Sequence, residues 1–297
     1  MSTHTVLVSG ATGATGRATV EALQHSDSSV RALVHTDDSR AADLRRLGAK
    51  IVLGDLLEID TVRAAMDGVD AAYFVFPIAP QLLEATAKFA QAAQEAGVSA
   101  IVNLSQATAK RDSRSHAAQN HWIAERVFDW SGIAVTHLRP TLFAEWLLYA
   151  FALNGVRDQN VLALPFGEGR FSPLAAHDQG QIIAAILNDP AKHAGQTYRL
   201  DGPTQLDGRG MAAVLTQVLD RTINYHPVPI ADFQSVASTI PGLGPFFAQH
   251  IGAVVQDLQD GLLKDPGVTV QYFTGAAPMN LQSFVQAHHD LFTPTPD

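Results

Sequence analysis

The sequence predicts an α/β protein with a doubly wound parallel sheet. Three observations favour this fold class. Apolar runs rich in β-branched residues alternate with segments of helical spacing from Thr5 to Pro140. The stretches between successive runs are too long for hairpins and long enough for crossover helices. The runs are continuously apolar rather than alternating in polarity, which is typical of strands covered by helices on both faces.

Six strands and five helices are predicted in this part of the chain. The strands cover residues 5–8, 29–35, 50–55, 71–76, 100–105 and 134–140. The helices cover residues 18–23, 39–47, 59–66, 81–96 and 116–130. Gly48, Gly68 and Gly97 follow three of these helices, at positions where glycine commonly ends a helix. The strict alternation predicts a Rossmann-type sheet with right-handed crossovers.

Three glycines lie at a spacing of three between the first strand and the first helix, in the loop Gly10-Ala11-Thr12-Gly13-Ala14-Thr15-Gly16. Such a loop turns tightly and lets the backbone approach a pyrophosphate, while the N-terminus of the following helix presents N–H groups to the anion. The alternative is a glycine-rich turn that binds nothing. We predict a dinucleotide site that includes Gly10, Thr12, Gly13, Ala14, Thr15 and Gly16.

The regular pattern ends at about residue 155. A helix over 178–188 and a strand over 197–200 are expected to return to the sheet. The remaining helical segments, 211–219, 252–263 and 281–288, are separated by prolines.

We therefore predict two domains. Residues 1–155, with 174–202 returning to them, form an NAD(P)-binding Rossmann domain, and residues 156–297 form a smaller, mainly helical C-terminal substrate-binding region. Ligands of open α/β sheets bind outside the carboxyl ends of the strands, so this region is expected to cover that edge.

The composition is that of a soluble globular enzyme. Hydrophobic residues make up 46% and charged residues 16% of the chain, and the net charge is −9 without any block of like charge. We therefore expect a small-molecule substrate and neither nucleic acid nor a membrane as partner. Cysteine is absent, which excludes disulfides and thiolate metal sites, and we expect no metal. Only Met1-Ser2-Thr3-His4 precedes the first strand, which leaves no room for a signal peptide. A cytoplasmic protein is expected, and a homodimer is compatible with the sequence.

The residue at the end of the second strand usually selects between NAD and NADP. An acid there binds the ribose hydroxyls of NAD and repels the additional phosphate of NADP. His35 occupies this position, with Arg31 and Arg40 within reach and Asp37 and Asp38 just beyond the strand. We expect NADP rather than NAD, with the acidic role open to Asp37 or Asp38 if the turn curls back.

Other candidate cofactor contacts lie at the carboxyl ends of the strands. They are Asp55 and Leu56 after the third strand, near the adenine, Phe76 and Pro77 after the fourth, near the ribose and nicotinamide, Ser105 after the fifth and Pro140 at the end of the sixth. The alternative for each is a turn residue that touches no ligand.

Several segments resemble the NmrA-like branch of the atypical short-chain dehydrogenases/reductases. They are the glycine loop, Gly54-Asp55-Leu56, residues 131–140, Phe143-Ala144-Glu145, residues 171–178 and residues 198–203. The resemblance implies a Rossmann-type domain with a small C-terminal domain and NAD(P) binding. It also implies either a reductase of quinones, dyes, phenylpropanoids or similar compounds, or a redox-sensing regulator that does not turn the dinucleotide over. Many members carry an arginine where this chain has His35, and in them that arginine grips the 2′-phosphate, so its absence weakens the expectation of NADP without replacing it by NAD.

The catalytic Tyr–Lys pair of ordinary short-chain dehydrogenases is absent. In that pair a Lys lies four residues after a Tyr and lowers its pKa. Here the residues four positions after the five tyrosines are Pro77, Leu153, Gly202, Pro229 and Ala276. His121 and Glu125 hold the corresponding positions of the helix 116–130, so His121 is the candidate catalytic acid, oriented or charged by Glu125. The alternative is an amphipathic helix whose polar face holds both.

Phe143, Trp146 and Tyr149 follow the sixth strand at helical spacing. They are candidates for the wall of a pocket that accepts aromatic molecules, or else part of the core. The leading hypothesis is an NAD(P)H-dependent reductase that transfers hydride to a small unsaturated or aromatic acceptor of the quinone, azo, enone or imine type. The second is a non-catalytic dinucleotide sensor that acts through a protein partner. A sugar-nucleotide epimerase is disfavoured because such enzymes need the absent pair.

Overall fold

The computed structural model describes residues 4–240 and 243–294. Seven parallel strands form one sheet in the order β3-β2-β1-β4-β5-β6-β8, and β7 and β9 form a separate parallel pair. The strands are β1 Thr5–Val8, β2 Ser29–Val34, β3 Lys50–Leu53, β4 Ala71–Phe74, β5 Ala100–Leu104, β6 Ala134–Pro140, β7 Val161–Leu164, β8 Thr197–Leu200 and β9 Asn224–Pro227. The predicted doubly wound parallel sheet is confirmed. Its order reverses between β1 and β4, which is where such sheets bind ligands.

The helices are α1 Ala14–Leu23, α2 Ser39–Arg46, α3 Ile59–Met66, α4 Leu82–Ala96, α5 His116–Trp130, α6 Ala150–Gln159, α7 Ala176–Asn188, α8 Gly208–Leu219, α9 Ile230–Thr239, α10 Gly244–Gln259, α11 Val270–Thr274, α12 Leu281–Ala287 and α13 His289–Phe292. Short 3-10 helices cover Ala144–Leu148 and Pro190–His193. None of the described helices is both long and apolar enough to cross a membrane.

Helices cover both faces of the sheet. Along β1, Val6 and Val8 point to the face covered by α1 and α7, and Leu7 points to the face covered by α3, α4 and α5. The second face contains a cluster of Phe74, Phe89 and Phe128, whose ring centroids lie 4.9–6.3 Å apart. Both faces are therefore buried along the central strands, as their continuously apolar sequences predict. The edge strand β3 departs from that prediction, since Leu53 is 57% exposed.

The packing of α7 on α1 is unusually close. A Cβ at Gly180 would lie only 2.4 Å from the carbonyl carbon of Ala18. Glycine at this position lets the two helix backbones approach each other. Helix α1, which begins at the glycine loop, is thus covered by α7, a helix from much later in the chain.

A third apolar core is built entirely from residues 142–292. It joins α6, α8, α10 and α12 to the β7–β9 pair. Phe166 and Phe171 pack edge to face near its centre, with ring centroids 5.4 Å apart. This core places α10 over the carboxyl ends of β5 and β6, which is where the candidate site lies.

The boundaries differ from the predictions at several places. Helix α10 begins at Gly244 rather than at 252, because Pro245 occupies its first turn, where a helix tolerates proline. Helix α6 and the β7–β9 pair were not predicted. The strands β2, β3 and β4 end at Val34, Leu53 and Phe74, so their candidate site residues lie in the loops that follow. The prediction concerning a signal peptide falls on residues 1–3, which lie outside the described residues.

Candidate active site

The glycine loop turns sharply between β1 and α1. Gly10 has a φ of +56°, and a Cβ there would lie 2.6 Å from Cγ1 of Val75. The N–H of Gly13 donates to the carbonyl oxygen of Gly10 at 2.9 Å. A Cβ at Gly16 would lie 2.2 Å from that same oxygen. Only residues without a side chain allow α1 to begin this close to the end of β1.

The first turn of α1 is open to an anion. Gly13 is its N-cap, and in this described turn no side chain caps the helix and no acidic residue is present. Gly13 and Ala14 are exposed and Thr12 is partly exposed. Thr15 is buried, and its hydroxyl oxygen accepts a hydrogen bond from the hydroxyl of Tyr73 at 3.0 Å. The N–H groups of this turn can bind a pyrophosphate. The missing side chain of Gly13 leaves the space through which that group would approach.

The end of β2 presents His35 to solvent, with 77% of its side chain exposed. Its Nε2 lies 3.4 Å from Oδ2 of Asp55, which follows β3. The Oδ1 of Asp55 accepts the N–H of Leu57 at 2.8 Å and so holds the turn that carries Leu56. His35 and Asp55 therefore form one polar edge beside the crevice.

The other charged candidates near β2 are engaged elsewhere. Arg31 donates to the backbone carbonyls of Ala65 and Asp67. Asp38 caps α2 and pairs with Arg40 at 2.6 Å. Asp37 likewise pairs with Arg45 at 2.6 Å. None of the four residues considered from the sequence, Arg31, Arg40, Asp37 and Asp38, is left without a partner in the described structure.

A cavity of about 230 Å3 lies at the carboxyl ends of β4, β5 and β6. The sheet side contributes Phe76, Pro77, Ser105 and Pro140. Val75, which contacts the glycine loop at Gly10, also lines the cavity. The loop and the cavity therefore adjoin at the place where the strand order of the sheet reverses, between β1 and β4.

The remaining walls come from four other parts of the chain. Helix α5 contributes His121, and the segment after β6 contributes Phe143, Trp146 and Tyr149. Helix α10 contributes Phe247, His250, Ile251 and Val254, and the segment after α10 contributes Leu263. The cavity thus brings together the candidates at the ends of β4, β5 and β6, the candidate catalytic residue and the three aromatic candidates. His35, Asp55, Leu56 and the loop 10–16 do not line it.

Two buried histidines, His121 and His250, face this cavity. Burial lowers the pKa of His121 to about 3, helped by repulsion from His250 and opposed by Glu125. Burial also lowers the pKa of His250 to about 4. Both imidazoles are therefore neutral near pH 7, and neither carries the charge that an imidazolium acid needs.

The bonding of His250 indicates where its proton lies. Its Nδ1 is 2.8 Å from Oγ of Ser115, and that oxygen already accepts the N–H of Ala118 at 3.0 Å. Donation of the Ser115 hydroxyl proton to Nδ1 satisfies both groups. This assignment leaves the imidazole proton of His250 on Nε2.

Glu125 does not play the part predicted for it. Its side chain is fully buried, and its two carboxylate oxygens accept hydrogen bonds from Nε and Nη2 of Arg139 at 2.8 and 2.5 Å. No hydrogen bond to His121 is found among the described residues, and Nδ1 of His121 lacks a partner. The i, i+4 spacing places both residues on one helix face, but the arginine from β6 takes the carboxylate. The expectation that Glu125 orients His121 is therefore wrong, and the charge of Glu125 only partly offsets the burial that keeps His121 neutral.

Four buried polar atoms of the residues that line the cavity have no hydrogen-bond partner in the described structure. They are Nδ1 of His121, Oγ of Ser105, Nε2 of Gln106 and Oγ1 of Thr141. Gln106 is held by its other amide atom, since Oε1 accepts from the hydroxyl of Thr108 at 3.0 Å. Buried polar atoms normally find partners, so unpaired ones beside a cavity are candidates to bond an ordered water or a bound ligand.

Sequence reasoning missed His250, Phe247 and Gln106. Helix α10 was predicted to begin at 252, which left the first two in a loop. Helix α10 reaches the cavity because it packs in the third apolar core, and no local sequence pattern predicts that packing. Gln106 directly follows Ser105, so it could have been predicted in the same way, from its position at the carboxyl end of the fifth strand. In residues 4–240 and 243–294 no group of three or more His, Cys, Asp or Glu residues is arranged to hold a metal ion.

Comparison with known proteins places the chain in a family. A model of the NmrA-like family matches residues 2–256. The chain is 30% identical over 290 residues to the NAD(P)H azoreductase of Xenophilus azovorans, and the match covers 97% of this chain and 99% of that protein.

Two solved structures share the fold. The NADPH-dependent quinone oxidoreductase QOR2 of Escherichia coli, in complex with NADPH, superposes with a TM-score of 0.82 at 24% identity, covering 96% of this chain and 99% of that one. NmrA, a negative transcriptional regulator in complex with NADP, gives a TM-score of 0.74 at 18% identity, covering 100% and 93%. With a family model spanning most of its length and a relative at 30% identity, the chain belongs to the NmrA-like family.

Proposed function

We propose that this protein is an NAD(P)H-dependent reductase that transfers hydride to a small unsaturated or aromatic acceptor without a Tyr–Lys pair. One observation carries the proposal: the aromatic cavity adjoins the glycine loop at Val75, at the switch point of the sheet. A dinucleotide whose pyrophosphate lies on α1 would extend its nicotinamide towards such a cavity. The azoreductase relative is named for this class of reaction.

One part of the molecule would bind the dinucleotide and the other part the substrate. The proposed nucleotide-binding part comprises residues 1–155 with 174–202, and the proposed substrate part comprises 156–297. Loop 10–16 would hold the pyrophosphate, and His35, Asp55 and Leu56 the adenosine. Phe76, Pro77, Ser105 and Pro140 would border the nicotinamide end. Phe143, Trp146 and Tyr149 would contact the acceptor.

When bound, the reduced dinucleotide supplies a hydride from its nicotinamide ring. The cavity residues hold the acceptor near that ring and exclude bulk water, which promotes transfer through proximity alone. The acceptor gains the hydride and one proton, and the proton comes from solvent because both cavity histidines are neutral. His121 would act as a neutral hydrogen-bond partner that polarises the acceptor rather than as an imidazolium acid.

We further propose that the protein uses both dinucleotides with a modest preference for NADPH. Solvent-exposed His35 offers the 2′-phosphate an imidazole, but Asp55 lies 3.4 Å away and opposes the additional negative charge. No neighbouring arginine of the described structure is free, since Arg31, Arg40 and Arg45 are engaged. The quinone oxidoreductase and the regulator among the structural neighbours were solved with NADPH and NADP.

The experiment follows oxidation of NADH and NADPH at the nicotinamide absorbance with matched quinone, azo, enone and imine acceptors. Turnover of at least one class supports the proposal. His121→Phe is expected to lower kcat/KM about tenfold by removing the polarising contact. His116→Gln, on the exposed side of the same helix, is the control and should leave kcat/KM unchanged.

A second candidate function is a dinucleotide sensor without turnover. It is favoured by the neutral state of both cavity histidines, which leaves the described cavity without a charged acid. The same experiment separates the two functions. Tight dinucleotide binding with no oxidation by any acceptor class would contradict the reductase and support the sensor.

A further inference from the structure

Two histidines lie in the wall of the cavity, and only one of them has a fixed tautomer. Nδ1 of His121 is buried without a partner, so no hydrogen bond in the described structure decides which of its nitrogens carries the proton. Nδ1 of His250, in contrast, lies 2.8 Å from Oγ of Ser115. A neutral imidazole has one N–H group and one unprotonated nitrogen, so the partner of Nδ1 also determines the state of Nε2.

Ser115 is the donor in this hydrogen bond. Its side chain is fully buried, and its Oγ already accepts the N–H of Ala118 at 3.0 Å. Among the described residues, Nδ1 of His250 is the acceptor that this hydroxyl proton finds, so the proton of the imidazole lies on Nε2. Burial lowers the pKa of His250 to about 4, which keeps the ring neutral near pH 7. His250 is therefore a neutral donor whose N–H position is set by another side chain.

The N–H at Nε2 of His250 is free to meet a ligand. No hydrogen bond joins this nitrogen to any of the described residues. Nδ1 of His121 is fully occluded and unpaired, whereas Nε2 of His250 does not share that state and so retains accessible surface. Because the ring is buried and lines the cavity, that surface faces the cavity. Phe247 packs against the imidazole with ring centroids 6.4 Å apart and helps to hold it.

The position of α10 places this donor on the acceptor side of the cavity. The residues expected to border the nicotinamide come from the ends of β4, β5 and β6, whereas His250 comes from α10, which packs in the third apolar core. An acceptor held between the nicotinamide and α10 has the N–H of His250 on the side away from the strand ends. Such an acceptor is polarised while it lies against the reduced ring.

We infer that His250 is a catalytic residue that donates a hydrogen bond from Nε2 to the acceptor, and that Ser115 is a positioning residue that fixes the tautomer required. This inference rests on the proposed reductase function. The acceptor gains a hydride from the reduced dinucleotide at one end of its double bond, and the electron pair of that bond moves to the other end, an oxygen or nitrogen atom. The N–H of His250 stabilises the negative charge on that atom. A solvent proton then neutralises it, the dinucleotide is left oxidised, and His250 keeps its own proton.

The first experiment determines the tautomer without a ligand. A long-range 1H–15N NMR spectrum of the full chain shows which nitrogen of each neutral imidazole carries the proton, and the His250→Gln variant identifies the signals of His250. We expect a protonated Nε2 in the unmodified chain and a mixture of tautomers in Ser115→Ala. A protonated Nδ1 in the unmodified chain would overturn the inference.

The second experiment tests whether a ligand atom reaches this N–H. Acetophenone and α-methylstyrene have nearly the same shape, but only acetophenone has an oxygen that accepts a hydrogen bond. With the protein saturated with oxidised dinucleotide, acetophenone should shift the resonance of the Nε2 proton and bind about three- to tenfold more tightly than α-methylstyrene. His250→Leu should abolish this difference in affinity. Equal effects of the two probes on the unmodified chain would contradict a donor role.

Kinetics with the reduced dinucleotide separate a catalytic role from a structural one. His250→Leu should lower kcat at least about tenfold, because the negative charge on the acceptor loses its donor. His250→Gln should restore most of this loss, since its amide nitrogen lies near the position of Nε2 and still donates. Both variants take Nδ1 away from Ser115, so a purely structural role would impair them equally, and equal losses would overturn the inference. The Tm of each variant checks that it is folded.

The outcome is separable from that of the proposed function. A protonated Nε2 that responds to acetophenone, without oxidation of NADH or NADPH by any acceptor, would support the donor role of His250 and contradict the reductase. Turnover that His250→Leu leaves unchanged would do the reverse.

Discussion

Oγ of Ser115 and Nδ1 of His250 lie 2.8 Å apart and join the N-terminus of α5 to α10. Gln249 reinforces the junction, since its amide nitrogen donates to the carbonyl of Arg114 at 2.8 Å and its oxygen accepts the N–H of His116 at 3.1 Å. The helix that carries His121 and the helix that carries His250 are therefore fixed to each other beside the cavity.

Ser115→Ala is expected to lower the free energy of unfolding by about 2–3 kcal/mol. The variant removes the N-cap of α5, which contributes about 1 kcal/mol, and also leaves Nδ1 of His250 buried and unpaired. Asn280→Ala is the matched control, because Asn280 caps α12 through the N–H of Ser283. Urea unfolding should show a loss of only about 1 kcal/mol for the control. Equal losses for the two variants would contradict the role of the Ser115–His250 bond.

The fold should lose stability as the pH falls from about 7 to about 5. The pKa values of His121 and His250 are about 3 and about 4 in the folded chain, below the roughly 6.5 of an unfolded one. The unfolded chain therefore binds protons in this range that the folded chain cannot, at a cost of up to roughly 1.4 kcal/mol per pH unit per histidine. Burial raises the pKa of Glu145 and Asp178, which opposes the loss at the acidic end.

Urea unfolding at several pH values measures this slope. His250→Gln removes one of the two most strongly shifted histidines and should flatten the dependence, while His121 and His193, whose pKa burial also lowers, retain the rest of it. Exposed His116→Gln should leave it unchanged. A His250→Gln variant whose stability falls as steeply as that of the unmodified chain would rule out this account.

His35→Arg is expected to raise the ratio of kcat/KM for NADPH to that for NADH by about tenfold. A guanidinium binds a phosphate in two-pronged fashion and keeps its charge at any working pH, which an imidazole does not. His35→Gln is the control, because it keeps a polar side chain without the charge. The idea fails if both variants change the ratio to the same extent.

Gly13→Ala should separate cofactor binding from folding. A Cβ there would lie 3.3 Å from the carbonyl oxygen of Gly10, which is tight but far less so than the 2.2 Å found at Gly16. The added methyl group projects from an exposed position at the N-terminus of α1, where the pyrophosphate would lie. Fluorescence titration should show NAD(P)H binding weakened about tenfold with little change in Tm. Unchanged affinity would argue against this position for the pyrophosphate.

The sheet and the glycine loop could be predicted because their signals are local. Val6, Leu7 and Val8 lead directly into Gly10, and the continuous apolar run already implies helices on both faces. The C-terminal region carried weaker signals. Pro245 suggested a break, yet it lies in the first turn of α10, where the missing N–H costs nothing.

The chemistry of the cavity could be predicted only in part. The i, i+4 spacing correctly predicted that His121 and Glu125 lie on one face of a helix. The partner of Glu125 is nevertheless Arg139, which follows it by fourteen residues and comes from a neighbouring strand. The protonation state of His121 likewise depends on burial beneath α10 and on the proximity of His250. Contacts of this kind arise from tertiary packing and leave no local pattern.

The close contact between Gly180 and Ala18 has a consequence for how the molecule is made. The first helix emerges from the ribosome about 160 residues before the helix that covers it. Until then its apolar side chains, including Val20 and Leu23, have no α7 to pack against. Contacts between such distant segments form slowly, because a long loop must close first. Biosynthesis of this chain therefore includes an interval in which the first six strands of the sheet have been made but the helix that covers α1 has not.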